Sequence, residues 1–410
     1  MIISPSPTRE EALKKLEEFV PMASRVYNDT QMFDLGPSDR GNVSNLSFYL
    51  SNRLITDSEV ASALLLNHKP KDIEIFLSEL LRRSYWKGWL EGRPQVYSSW
   101  MRLRSEDRVR WPERAEYQSA IAGKTGIEVF DTWVSELLET GYLHHQARLN
   151  FASIWIFTLK LPWSLGADFF LRHLLDGDVA SNTLSWRWVA GLQAKGKHFV
   201  AKAANVRAFT KGRLDPGSQL IEGPRALSGA PDPIYQVPVN FPFRVSSQIG
   251  EDYAVLLTGD DLSSESGYLG ELKPKLVLVL DSQEISQKLE FSKKVNDAKS
   301  LAMKDAVERA RKHFGCEVEV LSLGDEPCAA LQRAAKKWEF SSLAYNEPFV
   351  GPWKEQTVAM TSKDVGLKFF PLRRPWDGLL HPYSLKSYVH FKKHALPQVV
   401  RAKGRFQKST

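Results

Sequence analysis

At 410 residues the chain is long enough for two or three domains, each with a core of its own. A hydrophobic content of 43% with 25% charged residues fits a globular protein, and no run approaches the roughly 20 apolar residues of a membrane span. The net charge of +7 favours anionic partners, nucleic acid first, without setting specificity.

Met1-Ile-Ile-Ser-Pro-Ser-Pro leads straight into a charged helix and lacks the basic-then-apolar build of a secretory signal, so a cytoplasmic location is expected. Thr8 then caps Arg9-Glu-Glu-Ala-Leu, the first of a succession of helices reaching residue 210. Helical spacing recurs over 57–66, 71–90, 126–139, 144–159 and 166–175, with Gly or Pro in most gaps. Nine of the twelve tryptophans fall in this half. From 211 to 250 the density of Gly and Pro forbids helices and predicts a linker or an extended arm. Beyond it, 253–258, 275–280, 317–322 and 341–345 read as short strands. They alternate with a long helix at about 284–314 and another at 327–337, the pattern of a doubly wound parallel sheet. No Gly-rich dinucleotide loop or Walker sequence appears there. Cys316 and Cys328, the only cysteines, cannot alone build a zinc site or an iron–sulfur cluster and read as buried thiols. The domains are thus 1–210, a linker 211–250, 251–400 and a basic tail 401–410.

Four stretches of the helical half carry chemistry. Val43-Ser-Asn-Leu-Ser-Phe-Tyr-Leu50 places hydroxyls ahead of a helix, as a phosphate loop or a simple cap would. Thr140-Gly-Tyr-Leu-His-His-Gln-Ala-Arg148, if helical, sets His144 and Arg148 on one face. Asp176-Gly-Asp-Val-Ala-Ser-Asn182 and Ser185-Trp-Arg-Trp188 put acids and an amide beside indoles, fit to orient a polar heteroaromatic ligand or to form a turn against the core.

In order and spacing the four resemble the FAD-binding domain of DNA photolyases and cryptochromes. Ser44-Asn-Leu-Ser47 with Tyr49-Leu50 is similar to that family's Thr-Ser-x-Leu-Ser-Pro-Tyr-Leu loop, and Glu79-Leu-Leu-Arg-Arg83 to its Glu-Leu-x-Trp-Arg helix. Thr125-Gly-Ile, Thr140-Gly-Tyr-Leu-His, Asp176-Gly-Asp178 with Asn182, and Trp186-x-Trp188 follow in family order over residues 8–210. The resemblance implies an all-helical FAD-binding domain followed by a Rossmann-like α/β domain. Tyr345-Asn-Glu-Pro-Phe, Asp377-Gly-Leu-Leu-His-Pro and Tyr388-Val-His-Phe-Lys resemble the family's antenna-type domain, which comes first in ordinary members, so a circular permutation is expected.

Carried over by position, Ser44, Leu46 and Ser47 would hold the FAD phosphates, with Tyr27 a further contact. Arg148 and Asp176 would pair beside the isoalloxazine, Asp178 would face its polar edge and Asn182 its N5. Glu79, Arg83, Tyr142 and His145 complete the implied cofactor set. Trp186 would be the proximal electron donor and Trp163 the next, while the family's distal Trp aligns with Ala120, leaving Tyr117, Trp111 or Trp155 as substitutes. Arg82, Arg83, Lys87, Lys195 and Lys197 would meet DNA. Arg82 replaces the family's lesion-stacking Trp. His145 replaces the lesion-side amide of cyclobutane-dimer enzymes, and Leu149 stands where (6-4) enzymes carry a second His. The implied function is electron-transfer repair of pyrimidine photoproducts by a monomer; the alternative is a cryptochrome-like photoreceptor. An antenna chromophore of unidentified type is a further expectation.

Overall fold

The computed structural model describes residues 6–194 and 196–402. Lys195 and residues 403–410 of the expected basic tail lie outside the described residues.

Twelve α-helices build the first half: α1 (Arg9–Phe19), α2 (Arg25–Thr30), α3 (Ser47–Ser51), α4 (Asp57–Asn67), α5 (Glu74–Glu91), α6 (Gln95–Arg110), α7 (Ala115–Ile121), α8 (Glu128–Thr140), α9 (His145–Ser153), α10 (Trp163–His173), α11 (Val179–Ala190) and α12 (Ala203–Phe209). Their ends are set by local chemistry. The Thr8 hydroxyl accepts from the Glu11 amide at the start of α1, and Thr56 with Glu59 forms a reciprocal capping box on α4. Gly141 and Gly191 end α8 and α11 in the left-handed conformation. The segment 141–144 is not helical, contrary to a continuous reading of 140–148. Gly141 has already closed α8, and His144 caps α9 by accepting from the Gln146 amide through Nδ1. The turn after α9, Ile154–Thr158, is a π-helix, the kind of bulge that re-aims side chains near functional sites.

Residues 211–246 carry no helix or strand, as their Gly and Pro content requires. The second half is a five-stranded parallel sheet in the order β3-β2-β1-β4-β5, made of β1 (Tyr253–Leu257), β2 (Leu276–Leu280), β3 (Glu317–Leu321), β4 (Ser342–Asn346) and β5 (Lys368–Leu372). Strands β1 and β2 are buried at every residue, as a sheet covered on both faces demands. The helices are α13 (Gln283–Leu289), α14 (Lys293–Phe314), α15 (Pro327–Trp338), α16 (Pro352–Thr361), α17 (Pro375–Leu380) and α18 (Tyr388–Arg401). The long helix expected at 284–314 is two helices. Glu290 takes a left-handed φ of 52°, and Ser292 caps α14 afresh through the Val295 amide. Strand β5 escapes sequence reading because Pro371 interrupts it, which only an edge strand tolerates. Cys316 and Cys328 are half-buried rather than buried. Among the described residues no helix is long and apolar enough to cross a membrane.

The sheet domain docks on α5. Arg53 and Arg374 converge on Asp261, and Arg53 also reaches Asp377 (Nη2–Oδ2 2.6 Å); all four side chains are less than 10% exposed. Glu91, near the end of α5, takes Arg373 at 2.5 Å and His381 Nδ1 at 2.8 Å. Trp376 Nε1 donates to Ser84 Oγ (2.8 Å) and Tyr85 Oη to the Lys386 carbonyl (2.8 Å). Gly88 makes this approach sterically feasible: a β-carbon there would lie 2.5 Å from Ser384 Oγ.

Removing one partner of a buried ion pair costs about 3–5 kcal/mol, because the other charge stays out of water. Arg53→Ala is therefore expected to lower the stability of the folded chain by about that much in denaturant titration. Burial pushes the Glu91 carboxyl up, but His381 and Arg373 outweigh it and hold the group down to about 2. Its stabilising contribution is complete above the unfolded value of about 4.3 and is lost as pH falls toward 2. Acid unfolding followed by circular dichroism should accordingly shift upward in pH when Arg373 and His381 are both replaced by Ala.

Candidate functional site

The loop before α3, the inner face of α5, the start of α9 and the first turns of α11 enclose one bent cavity with two lobes. The first, of about 1130 Å3, is walled by Tyr27, Ser44, Leu46, Ser47 and Tyr142. The second, of about 830 Å3, is walled by Arg148, Asp176, Asp178, Asn182 and Trp186. Glu79, Arg83 and His145 belong to both walls and join the lobes. Every residue implied by resemblance to touch the cofactor therefore faces this space.

In the first lobe Asn45 takes a left-handed φ of 54°, and the Leu46 amide turns back on Ser44 Oγ at 3.4 Å. Arg83 is held at the junction by Ser51 Oγ (3.4 Å) and Asp57 (3.5 Å), which aims a fixed cation into the space between the lobes. His144 does not reach the second lobe's wall. Its Nε2 lies 3.0 Å from the Gln31 carbonyl, which accounts for it as a structural cap. His145, one residue on, is exposed to the cavity. Packing of the surrounding protein lowers its pKa to about 4; Glu79 pulls it back up, and the Arg148 and Arg82 charges add to the lowering. The imidazole is accordingly neutral at pH 7.

The second lobe is organised by charge. Arg148 grips Asp176 in a bidentate pair (3.1 and 2.9 Å), and its Nε donates to the Leu143 carbonyl at 2.8 Å. Burial raises the Asp176 carboxyl, but Arg148 and the Ser47 hydroxyl win and hold it below the usual range. Asp178 caps α11 through the Ser181 amide at 2.7 Å. Lys87 lies 3.5 Å from Asp178, buried, with its ammonium 4.2 Å from the centre of the Phe349 ring. This corrects the sequence reading of Lys87 as a DNA contact: the side chain is 5% exposed and serves the carboxylate inside.

Asn182 supplies a directional group. Its Nδ2 donates to the Ala167 carbonyl (2.7 Å), and a carbonyl can only accept, so Oδ1 is the atom left for the cavity. Trp186 is 2% exposed, and its ring packs on α10 at Gly166, where a β-carbon would lie 2.3 Å from Cη2. Its indole Nε1 has no partner among the described residues, so a ligand with an acceptor in this lobe would satisfy it. The rings packed on Trp186 are Phe170 (5.1 Å) and Trp155 (6.2 Å); Trp155 in turn meets Tyr117 at 6.1 Å. Trp163 sits outside this cluster, beneath the Arg187 guanidinium at 5.9 Å. Trp155 entered the sequence reading only as one substitute among three, because nothing in its spacing shows that the π-turn directs it inward.

At the rim, Arg82 pairs with Glu79 (3.3 Å) and lies over the Tyr388 ring at 4.3 Å, and Trp86 forms the adjoining wall. Sequence reasoning missed Trp86, although its place one turn after Arg82 on α5 put it on the same face. Lys197 is exposed beyond the end of α11. A third cavity, about 850 Å3, lies at the carboxyl ends of β1, β2 and β4 and shares Gly177 and Asp178 with the second lobe.

The part of this site contributed by α5, α9 and α11 falls within a known domain. Residues 76–223 match the FAD-binding domain of DNA photolyase. The chain is 32% identical over 181 residues to a deoxyribodipyrimidine photo-lyase of Streptomyces griseus, covering 39% of each chain. It is 27% identical over 191 residues to that of Escherichia coli K12, covering 45% of this chain and 39% of the other. It spans well under half the length of these curated relatives. A bacterial class III photolyase from Agrobacterium tumefaciens is a structural neighbour at 25% identity and a TM-score of 0.42, over 50% of this chain and 43% of that one. Residues 76–223 of the helical half thus correspond to a photolyase-type FAD-binding domain.

Proposed function

We propose that this chain is a blue-light-dependent flavoprotein that splits pyrimidine photoproducts in DNA. The observation that carries the reading is the two-lobed cavity, which combines a hydroxyl-lined loop and Arg83 at one end with Arg148–Asp176, Asn182 and Trp186 at the other. FAD bound there in its reduced, light-excited form would supply the electron that opens the photoproduct.

The chain's own residues provide the rest. Ser44, Ser47 and Arg83 would neutralise the diphosphate. Asn182 Oδ1, an acceptor by elimination, would favour a ring nitrogen that carries a proton, which biases the site toward reduced flavin. Asp178, kept ionised by Lys87 and Arg83 against the upward push of burial, would accept from the ring's polar edge. Arg82 gives up the family's stacking indole, but Trp86 offers another on the same lobe, and a base–aromatic stack is worth about 1–3 kcal/mol. A base flipped into the mouth would meet Trp86 on one side and His145 on the other. His145, held neutral, would act there as a hydrogen-bonding ring rather than a standing acid. Arg82, Arg83 and Lys197 would meet DNA phosphates. In this reading the sheet domain is the permuted antenna-type domain. The third cavity, at the switch point between β1 and β4 and edged by Phe291, Phe349 and Trp353, is where a second aromatic chromophore would bind.

A second reading, a photoreceptor without repair, draws support from Arg82. Clamped by Glu79 and Tyr388, it is occupied within the protein rather than presented to a lesion.

Chemically reduced protein should restore oligonucleotides carrying a cyclobutane dimer or a (6-4) product under blue light and not in the dark. Repair of neither lesion by protein holding reducible flavin would shift the assignment to the photoreceptor. Replacing Trp186 by Phe should abolish blue-light reduction of the oxidised flavin, read from its visible absorption, while leaving flavin content intact. Unchanged photoreduction would remove Trp186 from the electron route.

A further inference from the structure

Residues 378–410 contain five lysines and two arginines and no aspartate or glutamate, so this one segment accounts for the whole net charge of +7. In its described part the charge is carried by α18 and the turn before it. Lys386, Lys393 and Arg401 are exposed, and none of them has a carboxylate partner among the described residues. Lys392 is the exception, paired with Glu74 at 2.8 Å.

Where this helix sits matters more than its charge. It packs along α5, the helix whose Glu79, Arg82, Arg83 and Trp86 wall the cavity. The Lys386 carbonyl receives Tyr85 Oη, Tyr388 Oη donates to the Ser78 carbonyl, and Tyr388 also carries the Arg82 guanidinium on its ring. The nearby acids are spent: Glu74 on Lys392 and Glu79 on Arg82. His390 and His394 pack with ring centres 4.5 Å apart on the same helix and add no negative charge. The cation-bearing surface of the sheet domain is therefore continuous with the rim of the helical domain's cavity.

We propose that α18 is a phosphate clamp for duplex DNA, through which the sheet domain holds the strand flanking the base that enters the cavity. The proposal rests on the DNA-repair reading above and adds a second domain to the contact. Lys386, nearest the rim, would take a phosphate close to the flipped position. Lys393 and Arg401, two and four helical turns further along, would follow the backbone away from it. Contacts of this kind position without reading sequence, and their signature is salt dependence.

The test measures binding of a fluorescent duplex to the full-length flavin-loaded chain over a series of salt concentrations. The triple variant Lys386→Gln/Lys393→Gln/Arg401→Gln is compared with a charge-matched control on α14 and α15, Lys312→Gln/Arg333→Gln/Lys336→Gln. Each phosphate contact contributes about 0.9 to the slope of log affinity against log salt. The α18 variant should thus lose a slope of about 2–3, roughly a hundredfold in affinity near 0.1 M salt, with flavin content and absorption unchanged. The control should keep the slope. An unaltered slope in the α18 variant, or an equal loss in the control, overturns the clamp while the repair reading stands. Failure of the unmodified chain to bind duplex overturns both. Binding without repair by the unmodified chain, together with loss in the α18 variant, supports the clamp and sinks repair alone.

Discussion

Two aspartates and two arginines taken out of water together hold this molecule in one piece. Asp261 and Asp377 come from the sheet domain, Arg53 from the turn after α3 and Arg374 from the start of α17. None can leave without stranding an opposite charge in a low-dielectric interior, so the domains are locked in one relation rather than merely adjacent. The lock lies beside α5, and α5 is both the inner wall of the two-lobed cavity and the seat of the sheet domain. Displacing either partner moves Glu79, Arg83 and Trp86 with it.

This arrangement makes the helical half a site built from the inside out. Arg148–Asp176 and Lys87–Asp178 pair cations of α9 and α5 with acids of the turn that leads into α11, so the cavity keeps its electrostatic shape only while the bundle is closed. Such pairs contribute less to net stability than to specifying one arrangement of the helices, because desolvation offsets much of their Coulomb gain.

Much of this was legible in the sequence. The resemblance of the four motifs grouped Ser44, Ser47, Arg148, Asp176 and Asn182, and the folded chain brings all five to the walls of one cavity. What was not legible depended on tertiary contacts. Lys87 looked like a surface cation, since nothing local reveals that Asp178 and Phe349 enclose it. The 284–314 segment has unbroken helical spacing, and only the contacts of Glu290 and Ser292 with another part of the chain show where it divides. Trp155 is aimed by a π-turn, and Pro371 conceals an edge strand; neither backbone feature has a periodicity to betray it. The polar α6 reads poorly for the same reason, its few buried residues being Val96, Tyr97, Trp100 and Arg104.

The division at Glu290 gives the third cavity its width. Helix α13 lines that cavity with Ile285 and Leu289, and α14 lines it with Lys299 and Met303, the break between them turning both pairs toward the same space. The bend is also a tether, since Glu290 pairs with Arg108 and the Ser292 amide donates to the Arg172 carbonyl, both in the helical domain. The chamber is therefore walled by both domains, with Ser51, Leu171 and Asp178 from the helical half and Ile285, Phe349 and Trp353 from the sheet half. Its dimensions belong to the assembled molecule, and the sheet domain cut free would lose the wall that the helical half supplies.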